Sequence, residues 1–134
     1  ALVPSQIQTL IDTLGLHTLS RLKKILIGGA PLYNSLKEKI KFAESDIYLT
    51  YGMTETISHI ALQKISGENK QERFYPLPGI QLFQNENSCL RIRAPYLAED
   101  IQTHDVVKLY DDKSFEWLGR ADFVINSGGI KIHP

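Results

Sequence analysis

Lys24-Ile25-Leu26-Ile27-Gly28-Gly29-Ala30-Pro31 is a short apolar run broken by two glycines and a proline, and Asp46-Ile47-Tyr48-Leu49-Thr50-Tyr51-Gly52 repeats the arrangement further on. Between them Leu32, Leu36 and Ile40 recur at helical spacing, with Lys37, Lys39 and Lys41 left for the outer face. Strand, helix and strand in this order predict an α/β unit with parallel strands. Upstream, Ile7, Leu10, Ile11 and Leu14 follow Pro4-Ser5 and predict a helix within residues 4–19, with Gly15 as a stop.

Downstream the texture changes. Short strand candidates follow one another at Ile57–Gln63, Gly79–Gln84, Cys89–Ala94, Val106–Tyr110, Phe115–Leu118 and Phe123–Asn126, separated by turn formers such as Pro76-Leu77-Pro78-Gly79 and Asp111-Asp112-Lys113. Many short strands without helices predict an antiparallel, barrel-like subdomain. The expected fold class is therefore the end of an α/β layer followed by a small antiparallel β-barrel-like subdomain. Three parts are expected: residues 1–56, residues 57–118, and residues 119–134.

The 134 residues are 43% hydrophobic, enough for a core in a single domain's length of chain. Fifteen Lys and Arg balance fifteen Asp and Glu. Zero net charge removes any general attraction to nucleic acid or an anionic membrane. No apolar run approaches the roughly 18 residues that span a bilayer, so no membrane insertion is expected. A single cysteine, Cys89, excludes an internal disulfide framework and makes a reducing cytoplasm the default compartment. Residues 99–122 hold seven acids against three bases, expected for the most part to form a solvated rim. Both ends read as cut, so the chain is expected to be a fragment. The four histidines are scattered with no i, i+4 pair, and neither a Walker loop, a dinucleotide fingerprint nor a G-x-S-x-G elbow is present.

Three turns offer chemistry. Gly28-Gly29-Ala30 ends a strand, where ligands bind in open α/β sheets and where bare backbone admits a flat ligand; a plain strand-to-helix turn is the other option. Tyr51-Gly52-Met53-Thr54-Glu55-Thr56 sets an aromatic plane, a hydroxyl and a carboxylate beside a flexible Gly, the parts for a base, a phosphate oxygen and Mg²⁺. A polar turn with a solvated Glu55 has the same composition. Gly119-Arg120-Ala121-Asp122, then Ser127-Gly128-Gly129-Ile130-Lys131, joins an Arg that can fork onto hydroxyls or phosphate to a Gly pair able to pivot. The same residues also suit a hairpin with a surface Arg–Asp pair.

Taken in order, the three turns resemble the adenylate-forming superfamily of acyl- and aryl-CoA ligases, luciferases and peptide-synthetase adenylation domains. Leu26-Ile27-Gly28-Gly29-Ala30-Pro31-Leu32 is similar to its adenine-binding strand end. Tyr51-Gly52-Met53-Thr54-Glu55-Thr56 is similar to its aromatic-Gly-x-Thr-Glu motif, and Gly119-Arg120-x-Asp122 with Gly128-Gly129-x-Lys131 to its hinge motif. The run from Tyr51 to Leu62, and Trp117-Leu118-Gly119-Arg120 running into Val124–Ile132, resemble most closely the o-succinylbenzoate–CoA ligases of menaquinone biosynthesis.

The resemblance implies ATP, Mg²⁺ and, as co-substrate, coenzyme A, with a small aryl or acyl carboxylic acid as the other partner. It implies that Gly29 and Ala30 line an adenine pocket with Tyr51 against the base, Gly52 and Met53 lying in the same nucleotide loop. Thr54 would bond the α-phosphate and Glu55 would hold the metal. Asp105 would take the ribose, although His104 stands where the family has Gly, and Arg120 would contact ribose or phosphate. Asp122 would be the hinge, Ser127 and Gly128 would receive the pantetheine thiol, and Ser58 and His59 could border the acid pocket or be ordinary strand residues. A phosphate loop before residue 1 and a catalytic lysine after residue 134 are also implied, so this segment alone should lack ligase activity. Another acyl- or aryl-CoA ligase and a non-catalytic nucleotide-binding relative are the alternatives.

Overall fold

The computed structural model describes residues 1–123, 125–127 and 130–132. They divide into two compact units, one of residues 1–52 with 61–72, the other of residues 53–60 with the chain from 73 onward.

The first unit opens with α1 (Pro4–Leu14). Pro4 stands in its first turn, where a fixed φ is pre-set for the helix and a missing N–H costs nothing. Gln6 reaches back to accept the Val3 N–H at 2.9 Å. The helix stops at Leu14, at the expected Gly15, which turns to φ +82° while its N–H still donates to the Ile11 carbonyl at 2.8 Å. The chain resumes as a 3₁₀ turn, Leu16–Arg21, which buries Leu19 completely.

β1 (Lys24–Ile27) and β2 (Asp46–Gly52) pair in parallel, Lys24 opposite Asp46 and Ile27 opposite Leu49. α2 (Asn34–Ile40) makes the crossover between them. Leu36 and Ile40 point inward as their spacing predicts; Leu32 is half-buried and precedes the helix. β3 (His59–Lys64), of which residues 61–64 belong to this unit, lies next to β2 in the sheet. Ile7, Leu19, Ile25, Ile27, Leu36, Ile40, Ala43, Ile47 and Ile65 form one apolar core. Each large side chain buried there contributes roughly 1.5–3 kcal/mol. A buried relay of hydroxyls ties its edge. Ser45 Oγ donates to the Leu19 carbonyl, Ser66 Oγ donates to the Ser45 carbonyl, and the Ile47 N–H donates to Ser66 Oγ at 3.0 Å.

The second unit is built on an antiparallel sheet of β5 (Gln81–Gln84), β6 (Cys89–Arg93), β7 (Ile101–Leu109) and β8 (Phe115–Arg120), in that order, preceded by the short β4 (Tyr75–Pro76). An α/β layer followed by an antiparallel sheet is the fold class expected from the sequence. β7 begins five residues earlier than the apolar pattern from Val106 suggested. Its first half alternates buried Thr103 and Asp105 with exposed Gln102 and His104, so the inward residues are polar and gave no hydrophobic signal. β8 runs on to Arg120 through a bulge: Val106 faces Gly119 but Val107 faces Trp117, leaving Leu118 as the extra residue. Gly119 takes φ +136° there.

Phe74 and Phe115 exchange both backbone hydrogen bonds at 2.9 Å and stack their rings 5.4 Å apart. Leu82, Leu90, Ile92, Val107 and Phe115 are almost wholly buried. The strand expected at Phe123–Asn126 starts later, since Ala121–Phe123 coils into a 3₁₀ turn before β9 (Ile125–Ser127), which pairs antiparallel with β10 (Ile130–Ile132). None of the helices is long and apolar enough to cross a membrane among the described residues.

Candidate functional site

In the first unit the carboxyl ends of β1 and β2 carry Gly29, Ala30, Tyr51 and Gly52. The two glycines after β1 do different things. A Cβ on Gly28 would fall 2.1 Å from Thr50 Oγ1, so the bare backbone of Gly28 is used by its neighbour strand. Thr50 Oγ1 sits there to donate to the Ile27 carbonyl at 3.2 Å. Gly29 is exposed at φ +81°, with Val3 Cγ1 at 3.4 Å as the nearest atom to a Cβ built there. Gly29 and Ala30 thus offer open backbone, while Gly28 does not. Leu2 bonds β1 on its outer side, donating to the Leu26 carbonyl at 2.8 Å and accepting the Gly28 N–H at 3.1 Å. Tyr51 is half-buried and Gly52 exposed.

In the second unit Met53 leads into a 3₁₀ turn, Thr54–Thr56. Thr54 and Glu55 are exposed; Thr56 is completely buried. Thr56 Oγ1 accepts the Met53 N–H at 3.0 Å, and its own proton points to the Ser58 carbonyl at 2.7 Å or the Met53 carbonyl at 2.9 Å. The turn therefore presents one hydroxyl and one carboxylate outward on a loop clamped from beneath. Ser58 is exposed, and its Oγ lies 3.2 Å from Nδ1 of the half-buried His59.

The remaining candidates sit on β7, β8 and the turn after them. Asp105 is buried and opposite Arg120 in the strand register. Trp117 Nε1 donates to Asp105 Oδ1 at 3.1 Å. The Asp105 N–H donates to Thr103 Oγ1 at 3.1 Å, and that hydroxyl donates to the Leu90 carbonyl at 2.8 Å. His104, in the place where the resemblance implies Gly, points off the opposite face of β7 and is largely exposed, its Nδ1 3.8 Å from Asp122 Oδ2. The strand's alternation keeps it away from the Asp105 side.

Arg120 forks onto Asp122, with Nε at 2.9 Å and Nη2 at 2.7 Å from the two carboxylate oxygens. That hydrogen-bonded guanidinium holds the Asp122 carboxyl below the usual carboxylate range. Ser127 ends β9 opposite Ile130; Gly128 lies outside the described residues. The acids of 99–122 are more engaged than a solvated rim would be: Asp100 pairs with Arg93, Asp112 with Ser114, and Asp122 with Arg120.

Two contributors were missed from sequence. Thr56 shapes the Thr54–Glu55 turn, and its only signal was a third hydroxyl residue at the end of the motif. Trp117 holds Asp105, and nothing local links residues twelve apart on two strands. Among the described residues no group of three or more His, Cys, Asp or Glu side chains could cage a metal. A lone exposed carboxylate, Glu55, fits Mg²⁺, which binds through one or two carboxylates together with substrate phosphates and water.

Comparison with known proteins points to the same family. No family profile matches the chain. A 2-succinylbenzoate–CoA ligase of Oceanobacillus iheyensis is 33% identical, covering 100% of this chain and 33% of the relative. A crystal structure of an acyl-CoA synthetase (AMP-forming)/AMP-acid ligase II-like protein from Dyadobacter fermentans is 40% identical with a TM-score of 0.81, over 98% of this chain and 38% of that one. The o-succinylbenzoate coenzyme A synthetase of Bacillus subtilis, solved with ATP and magnesium ion, has the same fold, with a TM-score of 0.77 at 19% identity over 98% of this chain and 33% of that one. The chain thus spans about a third of the length of the relatives it matches. Its fold and its sequence likeness to these proteins agree that it is related to the AMP-forming acyl-CoA synthetases and carries one segment of their adenylate-forming fold.

Proposed function

We propose that the chain is part of an ATP-dependent acid–CoA ligase acting on o-succinylbenzoate in menaquinone biosynthesis, in the cytoplasm. The observation that carries this is the Thr54–Glu55 turn: an outward hydroxyl and carboxylate on a loop fixed by the buried Thr56, in a chain 40% identical to an AMP-forming synthetase. The acid's carboxylate attacks the α-phosphate of ATP, giving an acyl-adenylate and pyrophosphate; the thiol of coenzyme A then displaces AMP.

Gly29 and Ala30 offer open backbone to the adenine, with Tyr51 against its face and Gly52 and Met53 completing the loop. Thr54 donates to an α-phosphate oxygen. Glu55 is the residue that would hold Mg²⁺, which when bound supplies charge neutralisation at the phosphates. Asp105, steadied by Trp117, accepts from a ribose hydroxyl, and Arg120 contacts the ribose or phosphate once its fork leaves Asp122. Asp122 is the hinge, Ser127 and Gly128 receive the pantetheine thiol, and Ser58 and His59 border the acid.

The test is ATP–pyrophosphate exchange by the full-length protein with a panel of aryl and aliphatic acids. Exchange strongest with o-succinylbenzoate, and thioester release on adding coenzyme A, is the expected result. Stronger exchange with another acid would retain the ligase and change its substrate. No exchange with any acid would remove the ligase assignment.

A further inference from the structure

The segment after Glu55 bends in a way that few sequences tolerate. Ile57 has φ +66° and ψ −43°, and the Ser58 N–H donates to the Thr56 carbonyl at 2.7 Å. An i to i+2 hydrogen bond across a residue with positive φ and negative ψ is the rare, strained form of the γ-turn. A β-branched residue is the least suited to its centre, because both branches crowd the backbone when φ is positive. Ile57 gains no burial in return, since it is 77% exposed. The strain must be held by neighbours, and such outliers concentrate at ligand clamps and active sites.

The neighbour that holds it is Thr56. Its hydroxyl lies wholly buried between the two ends of the bend, accepting the Met53 N–H on one side and facing the Ser58 carbonyl on the other. Tyr96 adds a second tie, its hydroxyl donating to the Thr56 carbonyl at 3.4 Å. The 3₁₀ turn that carries Thr54 and Glu55 and the γ-turn at Ile57 share this one hydroxyl.

We propose that Thr56 is a positioning residue whose buried hydroxyl locks the strained turn at Ile57 and so holds Thr54 and Glu55 in the shape that takes the phosphates of Mg·ATP. The assignment rests on the nucleotide role given above to the Thr54–Glu55 turn. Thr56 touches no phosphate itself; it acts through the backbone of Met53 and Ser58. Glycine at position 57 would adopt the same dihedral angles without strain, so the clamp matters most while Ile57 is present.

The experiment uses the full-length protein and two readouts: the KM for Mg·ATP in pyrophosphate exchange, and the calorimetric Kd for a non-hydrolysable Mg·ATP analogue in the absence of acid. Thr56→Val, which keeps the shape and removes the hydroxyl, is expected to raise both by about tenfold, the scale of a lost buried hydrogen bond. Thr56→Ser is expected to stay within about twofold of wild type, since the hydroxyl is retained. Adding Ile57→Gly to Thr56→Val is expected to recover most of the affinity. Should Thr56→Val not fold, Thr56→Ala carries the same expectation.

A Thr56→Val protein with a lower melting temperature but unchanged KM and Kd overturns the positioning role and leaves the nucleotide site standing. Equal losses in Thr56→Ser and Thr56→Val, or no recovery with Ile57→Gly, overturn it as well. A wild-type protein that neither exchanges nor binds Mg·ATP removes the nucleotide site, and the role of Thr56 with it.

Discussion

At the scale of single residues, several positions matter through one atom. Gly28 is defined by Thr50 Oγ1, 2.1 Å from where its Cβ would lie. Gly28→Ala is expected to cost about 1–3 kcal/mol, the usual range for overpacking, read as a lower urea midpoint with unchanged m-value. Trp117 is the chain's single tryptophan and spends its indole N–H on Asp105. Trp117→Phe keeps an aromatic ring and removes that donor, so the carboxylate loses a bond worth roughly 1.5–3 kcal/mol. ATP affinity measured by calorimetry is expected to fall severalfold in the full-length protein, and unchanged affinity would separate Trp117 from the ribose site.

At the scale of elements, the turn between β6 and β7 is closed by charge. Arg93 forks onto Asp100 at 2.8 and 3.0 Å, and Arg91 lies 3.8 Å away, both guanidinium groups resting near the Phe83 ring. The hydrogen bond from Arg93, with the charges of both arginines, holds the Asp100 carboxyl below its ordinary 3.8. A carboxyl depressed in the folded state contributes stability that is complete above its unfolded pKa and is lost as pH falls through its folded pKa. Stability is therefore expected to fall below about pH 4, the ordinary range of an aspartate. Asp100→Asn should flatten that acid limb by removing the same contribution at neutral pH, a small one for an exposed pair. Acid denaturation followed by circular dichroism checks both. The bulge at Leu118 is the other decision made at this scale, because it sets which residues of β8 face Val106 and Val107.

At the scale of the whole molecule, each compact unit has its own buried side chains. Phe115 is fully buried in the second unit and Tyr33 is 79% exposed in the first. Phe115→Ala is expected to cost about 3–5 kcal/mol, while Tyr33→Ala should stay within about 0.5 kcal/mol, both by denaturant titration. Asp122, in the 3₁₀ turn before β9, is the residue proposed above as the hinge. Asp122→Pro fixes φ in that turn. In the full-length protein it is expected to spare pyrophosphate exchange and to slow thioester formation at least about tenfold, as a gating step would. Equal loss in both partial reactions would argue for a local structural role instead.

The strand–helix–strand order, the Gly15 stop and the turn at Thr54–Glu55 were legible in the residues, because each depends on local periodicity, a backbone preference or a short polar run. The first half of β7 was not, since Thr103 and Asp105 face inward without being apolar. Nor were the clamp of Thr56 on Ser58, the Thr50 side chain over Gly28 or the bond from Trp117 to Asp105. These contacts join groups through close packing and strand register, and register is set only when the strands pair. Local composition named the chemistry available to this protein; pairing and burial decided which oxygen each donor meets.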